Sequence, residues 1–154
     1  MSADSIDKLM IAFHIGDKMI GLPINSIQEI TEPVPAVRVP LTHSDLSGFI
    51  SLRGQVLPLI DLANVLHIDF NPFDKADEKY VVCVSSGGRP AALDVHSVGE
   101  TFTIEPDKVI PCDGSDEERK VIPSRLKLEN GEVLLPDIGQ LLERTRALNN
   151  LTRN

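Results

Sequence analysis

The residue types that do chemistry are present in this chain, but not in the arrangements that chemistry needs. Its four histidines, His14, His43, His67 and His96, are scattered, with no i, i+4 pair and no His-Glu-x-x-His run to hold a metal. Ser51, Asp61 and His67 could be drawn as a nucleophilic triad, yet Asp61 stands just before Leu62–Leu66, where its carboxylate caps a short helix. There is no Gly-x-Ser-x-Gly elbow and no phosphate loop; Ser86-Gly87-Gly88-Arg89 reads as a hairpin turn. Cys83 lies in an apolar run, and Cys112 is followed by Asp113, a neighbour that raises a thiol pKa instead of activating it. Two cysteines without Cys-x-x-Cys spacing fit free thiols in a reducing compartment. No catalytic residue, metal site or cofactor is assigned, and an enzyme is the disfavoured reading.

One residue is out of place in a different way. Phe49–Leu52 and Val56–Ile60 are apolar runs that read as strands, joined by a tight turn at Arg53-Gly54. A two-residue turn of type I′ needs φ > 0 at both central positions and therefore favours Asn or Asp before the Gly. Arg53 is the wrong residue for that local task, and a broken local rule points to function. The bland alternative is a different turn type in which a solvated arginine does no harm.

The elements around this turn repeat along the chain. Leu9–Ile15 and Met19–Ile24 read as a hairpin about Gly16-Asp17, with Pro23 suggesting a sheet edge. Asn25–Ile30 reads as a connector with one helical turn, Glu32–Pro35 as a loop and Val37–Val39 as a short extended piece. Shifting the chain by 71 positions lays Leu9–Phe13 on Tyr80–Val84 and sets Leu22, Ser26 and Glu29 on Leu93, Ser97 and Glu100. A shift of 77 lays Gly54-Gln-Val-Leu on Gly131-Glu-Val-Leu, the polar loop Asp113–Lys120 absorbing the difference. Such a long-period match marks a duplicated unit. At the repeated turn the second copy has Asn130-Gly131, the usual dipeptide, where the first has Arg53-Gly54. Asp94 stands where the first copy has Pro23, either as a surface carboxylate or as a polar contact between the units. Asp137–Asn150 reads as a helix with Ile138, Leu141, Leu142 and Leu148 on one side and Asp137 as its cap.

Each unit holds about five short strands punctuated by Gly and Pro, which predicts an all-β chain of two small barrels. A unit of this size is near the lower limit for a self-supporting core, so the barrels should pack together and leave a groove for a partner. The boundaries expected are a leader at 1–8, a first barrel at 9–68, a junction at 69–78, a second barrel with the C-terminal helix at 79–148, and a tail at 149–154. The chain of 154 residues carries a net charge of −8, with −4 in each half. That even acidity disfavours an SH3-like nucleic-acid binder, whose affinity rests on Lys and Arg. No signal peptide or membrane-length apolar run is present, so a cytoplasmic protein is expected.

The series Phe13-x-x-Gly16, Gly21-Leu-Pro-Ile, Ile27-Gln-Glu-Ile30, Arg38-Val-Pro40, Gly48-x-x-x-Leu52-Arg53-Gly54 and Val56-Leu-Pro-Leu-Ile-Asp-Leu62 resembles the CheW family of chemotaxis coupling proteins. Ala92-Leu-Asp-Val and Gly131-Glu-Val-Leu extend the resemblance into the second half, so that it runs from about Leu9 to Leu142. It implies two five-stranded SH3-like barrels and a non-catalytic adaptor joining the cytoplasmic tips of chemoreceptors to the regulatory domain of the histidine kinase CheA. It further implies receptor contact through Ile27, Glu29 and Arg53 in a groove between barrels, with Gly48 and Gly54 shaping that region. No kinase-contact residue follows from it, and an adaptor of a non-flagellar pathway would look the same. Ile27 would supply apolar contact to a receptor helix, and Arg53 a planar fork of donors for a carboxylate or carbonyl. The chain departs from the family at Leu135-Pro-Asp-Ile138 and at Ser51, where Asn is common.

Overall fold

The structure is a computed structural model and describes residues 9–38, 46–85, 88–129 and 131–143. Among the described residues the apolar runs form twelve strands: β1 (Leu9–Ile15), β2 (Lys18–Pro23), β3 (Ile27–Thr31), β4 (Ala36–Val37), β5 (Leu46–Leu52), β6 (Gln55–Ile60), β7 (Lys79–Cys83), β8 (Ala91–Val95), β9 (Ser97–Thr103), β10 (Val109–Pro111), β11 (Ser124–Leu128) and β12 (Gly131–Leu135). Between them lie the short helices α1 (Leu62–Val65) and α2 (Asp116–Val121), and a third, α3, begins after Asp137 and is described as far as residue 143. Residues 1–8, 39–45, 86–87, 130 and 144–154 lie outside the described residues, and with them the leader, the tail, part of the turn expected at Ser86-Gly87-Gly88-Arg89 and the later part of the helix expected at Asp137–Asn150.

The strands form two six-stranded sheets, ordered β9-β1-β2-β12-β11-β10 and β3-β7-β8-β6-β5-β4. The duplication is plain in these orders: replacing β1–β6 by β7–β12 and the reverse turns one sheet into the other. The sheets do not, however, follow the barrel boundaries expected at 9–68 and 79–148. Each unit lends its first hairpin to the other's sheet. Hairpin β1–β2 inserts between β9 and β12, and hairpin β7–β8 between β3 and β6. The exchange is sealed by two equivalent parallel pairings, Val133–Leu134 with Met19–Ile20 and Leu59–Ile60 with Ala92–Leu93. The sixth strand of each sheet, beyond the five expected, is the two- or three-residue β4 or β10.

Each sheet curls about a small core of its own, as two SH3-like barrels do: Ile50, Leu57, Leu59, Tyr80, Val82 and Ala92 in one, Met10, Leu126, Val133 and Leu135 in the other. A third and larger core lies between the sheets. Phe13, Ile15, Ile20 and Leu22 come to it from one sheet and Ile60, Val81, Leu93 and Val95 from the other, joined by Leu62 of α1 and Ile138, Leu141 and Leu142 of α3. The space between the barrels is thus filled by apolar side chains.

Local chemistry explains several elements and corrects others. Asp61 accepts from the Asn64 N–H and caps α1, and Asp137 accepts from the Gln140 N–H to cap α3. Asn25–Ile30 is not a helical turn throughout: a 3₁₀ turn spans Ile24–Ser26, and Ile27 onward is strand, because β7 supplies a ladder for it. Pro23 ends an interior strand, tolerated because the β12 ladder reaches only Met19 and Ile20. The stretch 113–120 is not merely a loop. Ser115 accepts from the Glu118 N–H and starts α2, whose first turn is acidic and last turn basic, matching the helix dipole.

Candidate functional site

The β5–β6 turn has the type I′ geometry that its sequence resists. Leu52 pairs with Gln55, and between them Arg53 has φ +52° and Gly54 φ +79°. An L-residue in the left-handed region costs about 1–2 kcal/mol, so the strain-free alternative for Arg53 is ruled out. Gly54 is needed for its backbone angle alone, since a Cβ there would meet nothing. Gly48 is needed for both reasons: its φ is +145°, and a Cβ would run into the carbonyl of Val37 where β4 crosses β5.

From this turn Arg53 reaches across to β3. Its Nε donates to both oxygens of Glu29, at 3.1 and 3.3 Å. The arginine side chain stays 79% exposed and that of Glu29 28%. An ion pair this open adds about 0–1 kcal/mol to stability, which does not clearly outweigh the backbone strain. The pair engages Nε and holds a largely exposed guanidinium beside a half-buried carboxylate. That geometry suits recognition of a hydrogen-bonding partner.

The residues expected to act together are only partly assembled. Glu29, Arg53 and Gly54 meet at one end of the β5–β6 hairpin, whereas Gly48 lies toward the other end of β5. Ile27 precedes Glu29 on β3, but a bulge separates their registers, and Ile27 packs against the core between the sheets. An open cleft of about 560 Å³ lies between the β1–β2 turn and residues 67–74, lined by Asp17, Lys18, His67, Ile68, Asp69, Phe70, Asn71 and Asp74. None of Ile27, Glu29 or Arg53 lines it. Glu29 and Arg53 lie on the surface of the sheet, at the β5–β6 turn and on β3.

A neighbouring surface went unnoticed in the sequence. Register places Val37 opposite Phe49, Phe49 opposite Pro58, and Ser51 opposite Val56 on the outward face of β4–β6. Val37 and Val56 are 68% and 69% exposed there, an apolar face on a strand whose other side is core. The almost wholly apolar run Val56–Ile60 reads in sequence as a strand buried on both faces, but the structure buries only one face at Val56 and leaves the other to solvent. The two cysteines are poor nucleophiles: burial pushes the Cys83 thiol up to about 12 and also raises that of Cys112. No helix among the described residues is long and apolar enough to cross a membrane.

Comparison with known proteins covers nearly the whole chain. The family model of the CheW-like domain matches residues 9–146. A probable chemotaxis protein CheW of Rhizobium etli is 29% identical over 143 residues, covering 92% of this chain and 91% of the relative. The chemotaxis protein CheW of Helicobacter pylori is 33% identical over 101 residues, 66% of this chain and 60% of the relative. In fold, the chain matches the crystal structure of the scaffolding protein TtCheW from Thermoanaerobacter tengcongensis with a TM-score of 0.77 at 22% identity, over 89% of this chain and 93% of the other.

Proposed function

This chain belongs to the CheW family of chemotaxis coupling proteins, and from that premise we propose that it is a cytoplasmic, non-catalytic adaptor that joins chemoreceptor tips to the histidine kinase CheA. The receptor side is the Glu29–Arg53 surface. The observation that carries this is Arg53 itself, a strained residue whose exposed ion pair gives the fold little in return. Its guanidinium offers planar donors to a carboxylate or carbonyl of a receptor helix, and Glu29 fixes the direction in which they point. Ile27 acts from beneath, by seating β3 on the core, and Gly48 and Gly54 set the backbone of the hairpin.

A coupling adaptor needs a second contact. The outward face of β4–β6 leaves Val37 and Val56 bare, and we assign it to the kinase. The test is binding of this protein to a chemoreceptor cytoplasmic fragment and to CheA, measured separately. Val56→Glu should weaken CheA binding at least about tenfold, since a charge desolvated in an apolar contact costs that much or more, and leave receptor binding unchanged. Loss of receptor binding alone in Val56→Glu would overturn the assignment, and failure of wild type to bind either partner would overturn the adaptor reading.

A further inference from the structure

Away from this surface, the connection between the repeated units carries a cluster of ionisable groups around one buried carboxylate. Asp94 lies on β8 with its side chain 9% exposed, and its Oδ2 accepts from Lys75 Nζ at 3.3 Å. Glu78 Oε2 lies 3.4 Å from the same ammonium. Asp94 Oδ1 is buried and meets no donor among the described residues. Two carboxylates therefore share one ammonium, and the orphaned oxygen can be satisfied by a proton held between Asp94 and Glu78. Burial, together with the neighbouring Glu78 carboxylate, raises the Asp94 carboxyl to about 7.

The cluster is what fastens residues 70–78 to the sheets. A 3₁₀ turn, Pro72–Lys75, is made rigid by a reciprocal cap in which Asn71 accepts from the Phe73 N–H and Asp74 from the Asn71 N–H. From its end Lys75 reaches Asp94 and also lies 5.1 Å from the centre of the Phe70 ring. Phe70 in turn meets His96 edge to face at 4.6 Å, and His96 Nδ1 accepts from the Gly16 N–H of the β1–β2 turn at 2.8 Å. The connection thus touches both sheets through a single set of contacts.

We propose that residues 70–78 form a proton-held clamp: a proton shared by Asp94 and Glu78 keeps the connection fastened to β8, and its loss to solvent lets the connection open. With both carboxylates ionised, one ammonium faces two negative charges in a partly dry site. Glu78, the more exposed of the two, then turns to water and draws the turn after Lys75 with it. The other groups facing Asp94 keep their charge state near neutrality. His96, at the bend between β8 and β9, is held below its usual pKa by burial and then by Lys75, and so stays neutral. Tyr80, opposite Asp94 on β7, is raised by burial and by Glu78 and Asp94, and so keeps its proton. Burial works against the Lys75 charge, but Asp94 and Glu78 overcome it and hold the ammonium protonated. Asp74 and Asp61 add negative charge near His96.

The sign follows from linkage. The fastened state keeps a proton that the opened state gives up at the ordinary carboxylate pKa, so opening grows with pH between the two values and levels off above the higher. The amides of Ala76 and Glu78, which bond to Phe73 and Lys75 within the connection, report it by hydrogen exchange corrected for intrinsic rates. In the full-length wild type, opening should rise about tenfold per pH unit between roughly pH 5 and 7 and then flatten. In Asp94→Asn and in Glu78→Gln, a neutral amide supplies the missing donor, and opening should vary less than about threefold over that range. The carbon-13 signal of the Asp94 carboxyl in the wild type, a measurement that needs no variant, should titrate near neutrality. A flat wild-type profile, an undiminished slope in either folded variant, or an Asp94 midpoint at the usual carboxylate value would each overturn the clamp.

Discussion

Arg53 and Glu29, 24 positions apart in the chain, meet at 3.1 Å where the β5–β6 turn reaches strand β3. The pair lies on the sheet that hairpin β7–β8 completes, with β7 forming the ladder on which β3 rests. The position of Glu29 therefore depends on its pairing with Val82, 53 positions farther along the chain, although Arg53 and Glu29 both belong to the first repeat.

The two glycines of the hairpin should separate when replaced. Gly54→Ala meets only backbone strain and should cost about 1 kcal/mol. Gly48→Ala adds a collision with the Val37 carbonyl and should cost about 2 kcal/mol or more, displacing β4. Urea denaturation of both variants measures the difference; equal costs would mean that β4 moves aside freely.

Exchange of hairpins makes the halves interdependent. The β1–β2 hairpin brings Phe13, Ile15, Ile20 and Leu22, all fully buried, into a sheet built otherwise by the second half. Fragments ending and beginning between Lys75 and Lys79 should each be unfolded alone and should regain native circular dichroism when mixed. A cooperative melt from either fragment alone would contradict the exchanged topology.

His96 gives a pH dependence opposite in sign to that of Asp94. Its folded pKa is held below the unfolded value of 6.5 by burial first and by Lys75 second, so the unfolded chain binds more protons as pH falls through that value. Its contribution to stability is therefore present above 6.5 and lost as pH falls toward the folded pKa. In Asp94→Asn, where the opposing carboxyl is silent, unfolding free energy should decline from pH 7 to pH 5.5. The added change His96→Gln should flatten that decline, and an unchanged slope would assign it to other groups.

Much of this architecture was legible because it is local. The strand at Leu9–Ile15, the hairpin about Arg53-Gly54 and the caps Asp61 and Asp137 follow from apolar alternation, turn chemistry and a carboxylate before an apolar run. The repeat was visible as well. What sequence could not say is which sheet each hairpin joins, since Val133 beside Met19 is a contact between residues more than a hundred positions apart and leaves no periodic trace. The strand at Ile27–Thr31 was obscured for the same reason, its ladder being supplied by β7. Helix α2 was legible and overlooked: Ser115 followed three residues later by Glu118 is a capping signal inside a stretch that looks merely polar. Of the candidate site, Arg53 stood out by its wrong fit to the turn and Ile27 and Glu29 only through the family resemblance, while the pairing of Arg53 with Glu29 and the packing of Ile27 on the core needed the fold.

The most direct measurement is Arg53→Asn, which installs the residue that the second repeat carries at the same turn. Asparagine tolerates the left-handed backbone, so relief of strain should exceed loss of the exposed ion pair by about 1 kcal/mol and raise the melting temperature by about 3 °C. The same variant should bind a chemoreceptor cytoplasmic fragment roughly tenfold more weakly while keeping its affinity for CheA. Greater stability with weakened receptor binding is the result this account predicts. Receptor affinity equal to wild type in the stabilised variant would contradict it.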